Sequence, residues 1–201
     1  MSRPPAARDA VLDAFERLIG SSGERAATLE ATAREAGVSK GGLLYHFGSR
    51  QALIAGLVER LHRLVEEDVE RIHDAPDGAI SYFVRSSVDL ETPLDRTFVA
   101  AVRLAQGGDR AAATAIDEVR ERWLAALGRD IGDPSLALAV TLIGDGLYYH
   151  AALRAEATEG ADADVAAIAP AQMDDLVSLL ERIARGEASP GPAAGGEASG
   201  D

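Results

Sequence analysis

Between Ala36 and Arg50 the chain reads Ala-Gly-Val-Ser-Lys-Gly-Gly-Leu-Leu-Tyr-His-Phe-Gly-Ser-Arg, and within it one helix must stop and another start within two residues. Gly37 can take the left-handed conformation that ends a helix, and Ser39 can cap the next by accepting a hydrogen bond from a backbone amide. Upstream, Leu29, Thr32, Ala33 and Ala36 share one face with Thr28 as the natural cap, a helix too short to stand without neighbours. Downstream, helical spacing turns Leu43 and Phe47 inward and Gly41, Gly42 and Tyr45 outward, with Lys40, Leu44 and His46 on the flanks. Each glycine on a surface helix costs roughly 1 kcal/mol relative to alanine, so an adjacent pair points to a backbone that something must approach closely. The spacing predicts a helix-turn-helix.

This stretch resembles the DNA-binding end of the tetracycline-repressor (TetR) family of bacterial transcription regulators. The resemblance covers roughly residues 8–60: a first amphipathic helix, Gly23, Thr28, the Ala36-Gly37-Val38-Ser39 turn, Lys40-Gly41, Leu43, His46-Phe47, Ser49, Arg50 and Leu53. Two positions depart from the family pattern. Gly42 stands where threonine is common, and Leu44 where a phosphate-touching tyrosine is common, so those two contacts do not carry over. The residues offered to DNA are Thr28, Ser39, Lys40, Gly41, Gly42, Tyr45, His46, Ser49 and Arg50. Lys40 is placed for a phosphate or a guanine edge, and Tyr45 for a thymine methyl or a sugar. His46 can bond a phosphate, while Thr28, Ser49 and Arg50 lie at helix starts, where backbone amides attract anions.

A net charge of −13 argues against a polyanionic partner, but the charge is unevenly spread. Residues 1–50 hold seven basic and six acidic side chains, a net +1, which leaves −14 on the other 151. With a Debye length of about 8 Å at physiological salt, acidic groups far from the phosphates are screened. The absence of cysteine excludes disulfides and thiolate metal sites. The first nine residues lack the apolar core of a signal peptide and no run approaches a membrane span, so a cytoplasmic location is expected.

The whole chain has helical periodicity, and 201 residues with 47% hydrophobic content can bury a core. The expected fold is all-α: a helix-turn-helix domain over 1–50, a helical regulatory and dimerisation domain over 51–185, and a disordered Gly- and Pro-rich tail over 186–201. Helices are expected from about Pro5 to Gly20, from Ser49 to His73, and over 79–90, 93–106, 109–129, 134–157 and 170–185. In the resembled family the last two long helices build a four-helix bundle with a second subunit, and Leu142, Leu147, Met173, Leu176, Val177 and Leu180 supply apolar faces for it. That the same residues complete the chain's own core is the other reading.

In a body of low aromatic content, Tyr82, Phe83, Phe98, Arg103, Gln106, Trp123, Asp145 and Tyr149 are candidates to line a small-molecule cavity. Asp145 stands out, because a carboxylate inside Leu142–Leu147 is costly to bury unless paired or bonded; lining the pocket and sitting at the subunit interface, facing Arg103 or water, are both open readings. His62 and Glu66, four apart on one helix, read as a solvated pair, since no third ligand completes a metal site. No phosphate-binding glycine loop is present. No cofactor, metal or catalytic residue is therefore expected. The reading is a homodimeric, one-component regulator, a repressor that binds a palindromic double-stranded DNA operator and is released by a small-molecule effector. The alternatives are a ligand-independent regulator under a protein partner and, remotely, an enzyme on a helical bundle.

Overall fold

The computed structural model describes residues 4–158 and 168–187, and among these every regular element is helical. The order is α1 (Pro4–Ser22), α2 (Leu29–Glu35), α3 (Lys40–His46), α4 (Arg50–His73), α5 (Ala79–Ser86), α6 (Pro93–Gln106), α7 (Arg110–Ile131), α8 (Pro134–Thr158) and α9 (Pro170–Ala184). Residues 188–201, most of the expected tail, lie outside the described part.

Side-chain caps set the boundaries. Thr28 accepts from the Ala31 amide at 3.1 Å, Ser39 from Gly42 at 3.0 Å and Ser49 from Ala52 at 3.1 Å, so each helix of the motif starts on a hydroxyl. Gly37 has φ +67° and ends α2 as expected. The helix expected over 79–90 stops at Ser86 instead. There the hydroxyls of Ser86 and Ser87 both donate to the Phe83 carbonyl, and the backbone leaves through turns at Val88 and Asp89.

Two cores follow. The first joins Val11, Leu12, Phe15 and Ile19 of α1 to Leu43, Phe47, Leu53, Leu57 and Leu61, and continues through Ala100, Leu104 and Val119 of α6 and α7. It runs across residue 50, so packing is continuous there. The second core gathers Ile72, Phe83, Val84, Leu127, Val140, Leu147, Met173, Val177 and Leu180.

Membership of the second core corrects the expected subunit face. Leu147, Met173, Val177 and Leu180 are buried within this chain, because α9 folds back onto α5 and α8, and Leu176 packs partly buried against the same core. Of the six nominated residues, Leu142 is the exposed one, at 54%. Among the described residues, the large aliphatic side chains that α8 and α9 leave outside are Leu138, Leu142, Leu179 and Ile183. The expected His62–Glu66 pair is also not formed. His62 lies 3.1 Å from Glu118 and Glu66 lies 3.4 Å from Arg122, both across to α7.

The first core carries one buried carboxylate at its junction. Glu16, 5% exposed, accepts from Thr97 Oγ1 of α6 at 2.9 Å and from Arg60 Nη1 of α4 at 3.3 Å. Burial raises its pKa, while Arg60 and Thr97 pull the other way. Arg60 also meets Asp13 at 2.5 Å and Asp9 at 3.0 Å.

Candidate functional site

The helix-turn-helix presents α3 outward. Tyr45 is 84% exposed with His46 edge-on beside it at 5.1 Å, while Leu43 and Phe47 anchor the helix from beneath. Gly56 of α4 permits that anchor, since a Cβ there would fall 2.7 Å from Phe47 Cε1. Of the two glycines of α3, Gly41 has no such internal reason and Gly42 a weaker one. A Cβ on Gly41 would meet nothing nearer than Ser39 Oγ at 4.0 Å, and one on Gly42 would meet that oxygen at 3.3 Å. Their smallness is therefore directed at least partly outward, at whatever the helix meets.

The expected phosphate contacts are less free than the sequence suggested. Lys40 Nζ lies 2.5 Å from Glu30 of α2. Arg50 donates to the Glu24 carbonyl at 3.1 Å and to its carboxylate at 3.3 Å, so it braces the loop before α2. The hydroxyls of Thr28, Ser39 and Ser49 are engaged as caps. Arg25 and Arg34 are exposed and have no ion pair among the described residues. They entered the sequence reading only as units of charge.

A cavity of about 390 Å³ opens between α4, α5, α6, α7 and α8, within the size range of small-molecule sites. All eight nominated residues, Tyr82, Phe83, Phe98, Arg103, Gln106, Trp123, Asp145 and Tyr149, line it. Its wall is a chain of rings: Trp123 lies 6.1 Å from Phe83 and 5.6 Å from Phe98, and Phe98 lies 5.5 Å from Tyr148, edge to face. Asp145, which lines the cavity, pairs with Arg120 of α7. Burial still raises its pKa, with Arg120 opposing.

The residue that organises this wall was missed. Asp68 of α4, 7% exposed, accepts from the Tyr82 hydroxyl at 2.7 Å and from the Trp123 indole nitrogen at 3.0 Å. Burial first, then Asp68, pushes the Tyr82 hydroxyl up to about 12. A signal was present in the sequence, because Asp68 interrupts the buried stripe Leu61, Leu64, Val65 and Ile72. A carboxylate in such a stripe needs donors.

Cavity and helix-turn-helix are joined through α6. Arg103 lines the cavity and donates to the carbonyls of Gly20 and, at 3.2 Å, Ile19 near the end of α1. One turn on, Gly107 lies so close to the Glu24 carboxylate that a side chain at 107 would displace it, and Glu24 in turn holds Arg50.

The bacterial regulatory proteins of the tetR family match over residues 11–57, and the tetracyclin repressor-like C-terminal domain matches over 77–168. The chain belongs to the TetR family. It is accordingly a helix-turn-helix, DNA-binding transcription regulator and not an enzyme. The HTH-type transcriptional regulator AlkX of Mycobacterium tuberculosis is 35% identical over 91 residues, 41% of this chain and 43% of that protein. The match thus spans less than half of the relative's length. In fold, this TetR-family chain is similar to a putative transcriptional regulator from Pseudomonas aeruginosa PAO1 (TM-score 0.64, 20% identity, 92% of this chain and 93% of the other). It is also similar to the multidrug binding protein EbrR complexed with malachite green (TM-score 0.61, 21% identity, 88% and 96%). No described helix is long and apolar enough to cross a membrane.

Proposed function

We propose that this TetR-family regulator is a repressor that binds a palindromic operator as a homodimer and lets go when a small molecule enters the cavity between α4 and α8. The observation that carries the reading is the position of Arg103, which contributes to the cavity wall and grips the end of α1 with one guanidinium. A ligand that prefers a shifted α6 moves α1 with it, and with α1 the spacing of two recognition helices. They fit successive major grooves about 34–36 Å apart. Release is limited by the ligand's differential affinity for the two spacings. The fold neighbour EbrR holding malachite green supports a ligand-binding body. For the subunit face, Leu142 with Leu138 on α8 and Leu179 with Ile183 on α9 form the surface that a second copy covers.

On the DNA side, Tyr45 and the Gly41-Gly42 face read bases while Lys40, His46 and the amides at the capped starts of α2, α3 and α4 hold phosphates. Arg25 and Arg34 join as cations without a competing carboxylate. Arg50 acts through Glu24 as a brace. Selection from a random duplex pool by the purified protein tests the reading: the bound sequences are expected to be two-fold symmetric, with half-site centres about one helical turn apart. Enrichment of asymmetric single sites, or no enrichment, overturns it.

A further inference from the structure

Among the described residues, six aromatic side chains, four carboxylates and two guanidiniums line the cavity. Both guanidiniums are turned to partners of their own. Arg103 holds the end of α1, and Arg71 faces Glu67 at 3.6 Å and Asp68 at 3.9 Å. Of the carboxylates, Asp145 is paired with Arg120 of α7 and Asp68 faces Arg71, whereas Asp95 and Asp89 have no guanidinium partner among the described residues. Among the described residues Asp95 is bonded by Thr92 and Asp89 by the Glu91 amide, all neutral donors. Asp68 stands behind Tyr82 and Trp123 and takes a hydrogen bond from the polar edge of each. A carboxylate at the edge of a ring pushes electron density onto its face, which strengthens the attraction of that face for a cation.

We propose that the cavity selects an organic cation with an aromatic body and rejects carboxylates, phosphates and other anions. This rests on the ligand-responsive reading above and names its ligand class. The rings supply the apolar contact, and the cation sits toward Asp95 and Asp89 at the α5–α6 end, where no guanidinium neutralises them. The field inside the cavity is consistent with this. Asp95 is raised mainly by burial, with Asp89 and Asp68 adding to it, and the Tyr148 hydroxyl is raised by burial and then by Asp95. Each added negative charge there is disfavoured; a cation relieves it.

Tetraphenylphosphonium and tetraphenylborate test the class, since they share four phenyl rings around one atom and differ in sign. Trp123, the only tryptophan, lines the cavity and reports binding by fluorescence, with calorimetry as the second readout. The phosphonium is expected to bind at least about tenfold more tightly than the borate, the worth of roughly one favourable charge contact. Asp95→Asn, which keeps an acceptor for the α6 cap, should weaken the phosphonium about tenfold, and Asp89→Asn, on the exposed rim, about threefold. Asp117→Asn, the same charge change on the exposed face of α7, should move it less than twofold, which separates the cavity from the overall charge of −13. Equal or tighter borate binding, no binding of either ion, or an Asp117 variant that weakens binding as much as Asp95→Asn overturns the proposal. The selected operator duplex, added last, separates the two readings. Phosphonium binding without DNA release leaves the ligand class standing and removes the sensing role; borate binding with DNA release does the reverse.

Discussion

Glu16 sits where the helix-turn-helix end meets α4 and α6, and replacing it by glutamine removes a charge and little else. The amide oxygen still accepts from Thr97, and Arg60 keeps Asp9 and Asp13. Two effects of that change oppose one another. The lost charge-assisted bond to Arg60 is worth about 1.5–3 kcal/mol at best, and its 3.3 Å length puts it at the low end. Against that stands the desolvation of a carboxylate at 5% exposure, several kcal/mol for a fully buried ion. The raised pKa of Glu16 decides between them, because burial outweighs Arg60. That Arg60 is itself raised is no contradiction, since hydrogen bonds and charge from three carboxylates overcome its desolvation, whereas Glu16 has one guanidinium. Glu16→Gln is therefore expected to match or exceed the wild-type stability at pH 7 by about 0–2 kcal/mol. Glu16→Ala, which removes the acceptor and leaves a void, should lose about 1–3 kcal/mol. The pH dependence has a fixed sign. A carboxyl whose pKa is higher folded than unfolded favours the fold when protonated, and that contribution is lost as pH rises through the folded value. The advantage of Glu16→Gln should be largest at neutral pH and close as pH falls toward the ordinary value of 4.5. Urea denaturation of both proteins at equal protomer concentration, at pH 7 and pH 5, measures it. A loss above about 1 kcal/mol for Glu16→Gln at pH 7, or a gap that widens in acid, refutes the reasoning.

Tyr45→Ala should cost about 1–3 kcal/mol of operator affinity with the thermal transition unchanged, because the side chain is 84% exposed; a mobility shift at fixed salt reads it. Glu30→Gln should strengthen operator binding, since it frees Lys40 for phosphate, and should steepen the dependence of affinity on salt; weaker binding would mean that the ion pair positions Lys40 and does not compete for it. Leu138→Glu with Leu142→Glu should give folded monomers by light scattering, whereas Met173→Ala should lower chain stability by about 2–5 kcal/mol, as a core residue does. Trp123→Phe strips one donor from Asp68 and should cost about 1–3 kcal/mol in unfolding free energy.

What the sequence made legible follows from how local each signal is. The caps at Thr28, Ser39 and Ser49 and the left-handed Gly37 are decided by neighbours three residues away, and the structure has them where spacing put them. The cavity wall was legible for a different reason. Large aromatics are scarce in this chain, and those on α5–α8 had few places to go except a shared interior. Partner choice was not legible. Which guanidinium meets Asp145 depends on the rotation of α7 against α8, and Arg120 comes within reach where Arg103 is drawn to the end of α1. The subunit face failed on the same ground. An amphipathic stripe says that Met173, Val177 and Leu180 must be covered but not by which copy of the chain, and α5 covers them first. The face proposed for a second subunit is the rest among the described side chains, Leu138, Leu142, Leu179 and Ile183; the first two lie on α8, whose periodicity could not single them out because that helix is apolar nearly all round. An exposed apolar face is thus identified by subtraction, after the intrachain core has claimed its share, and that subtraction needs the fold.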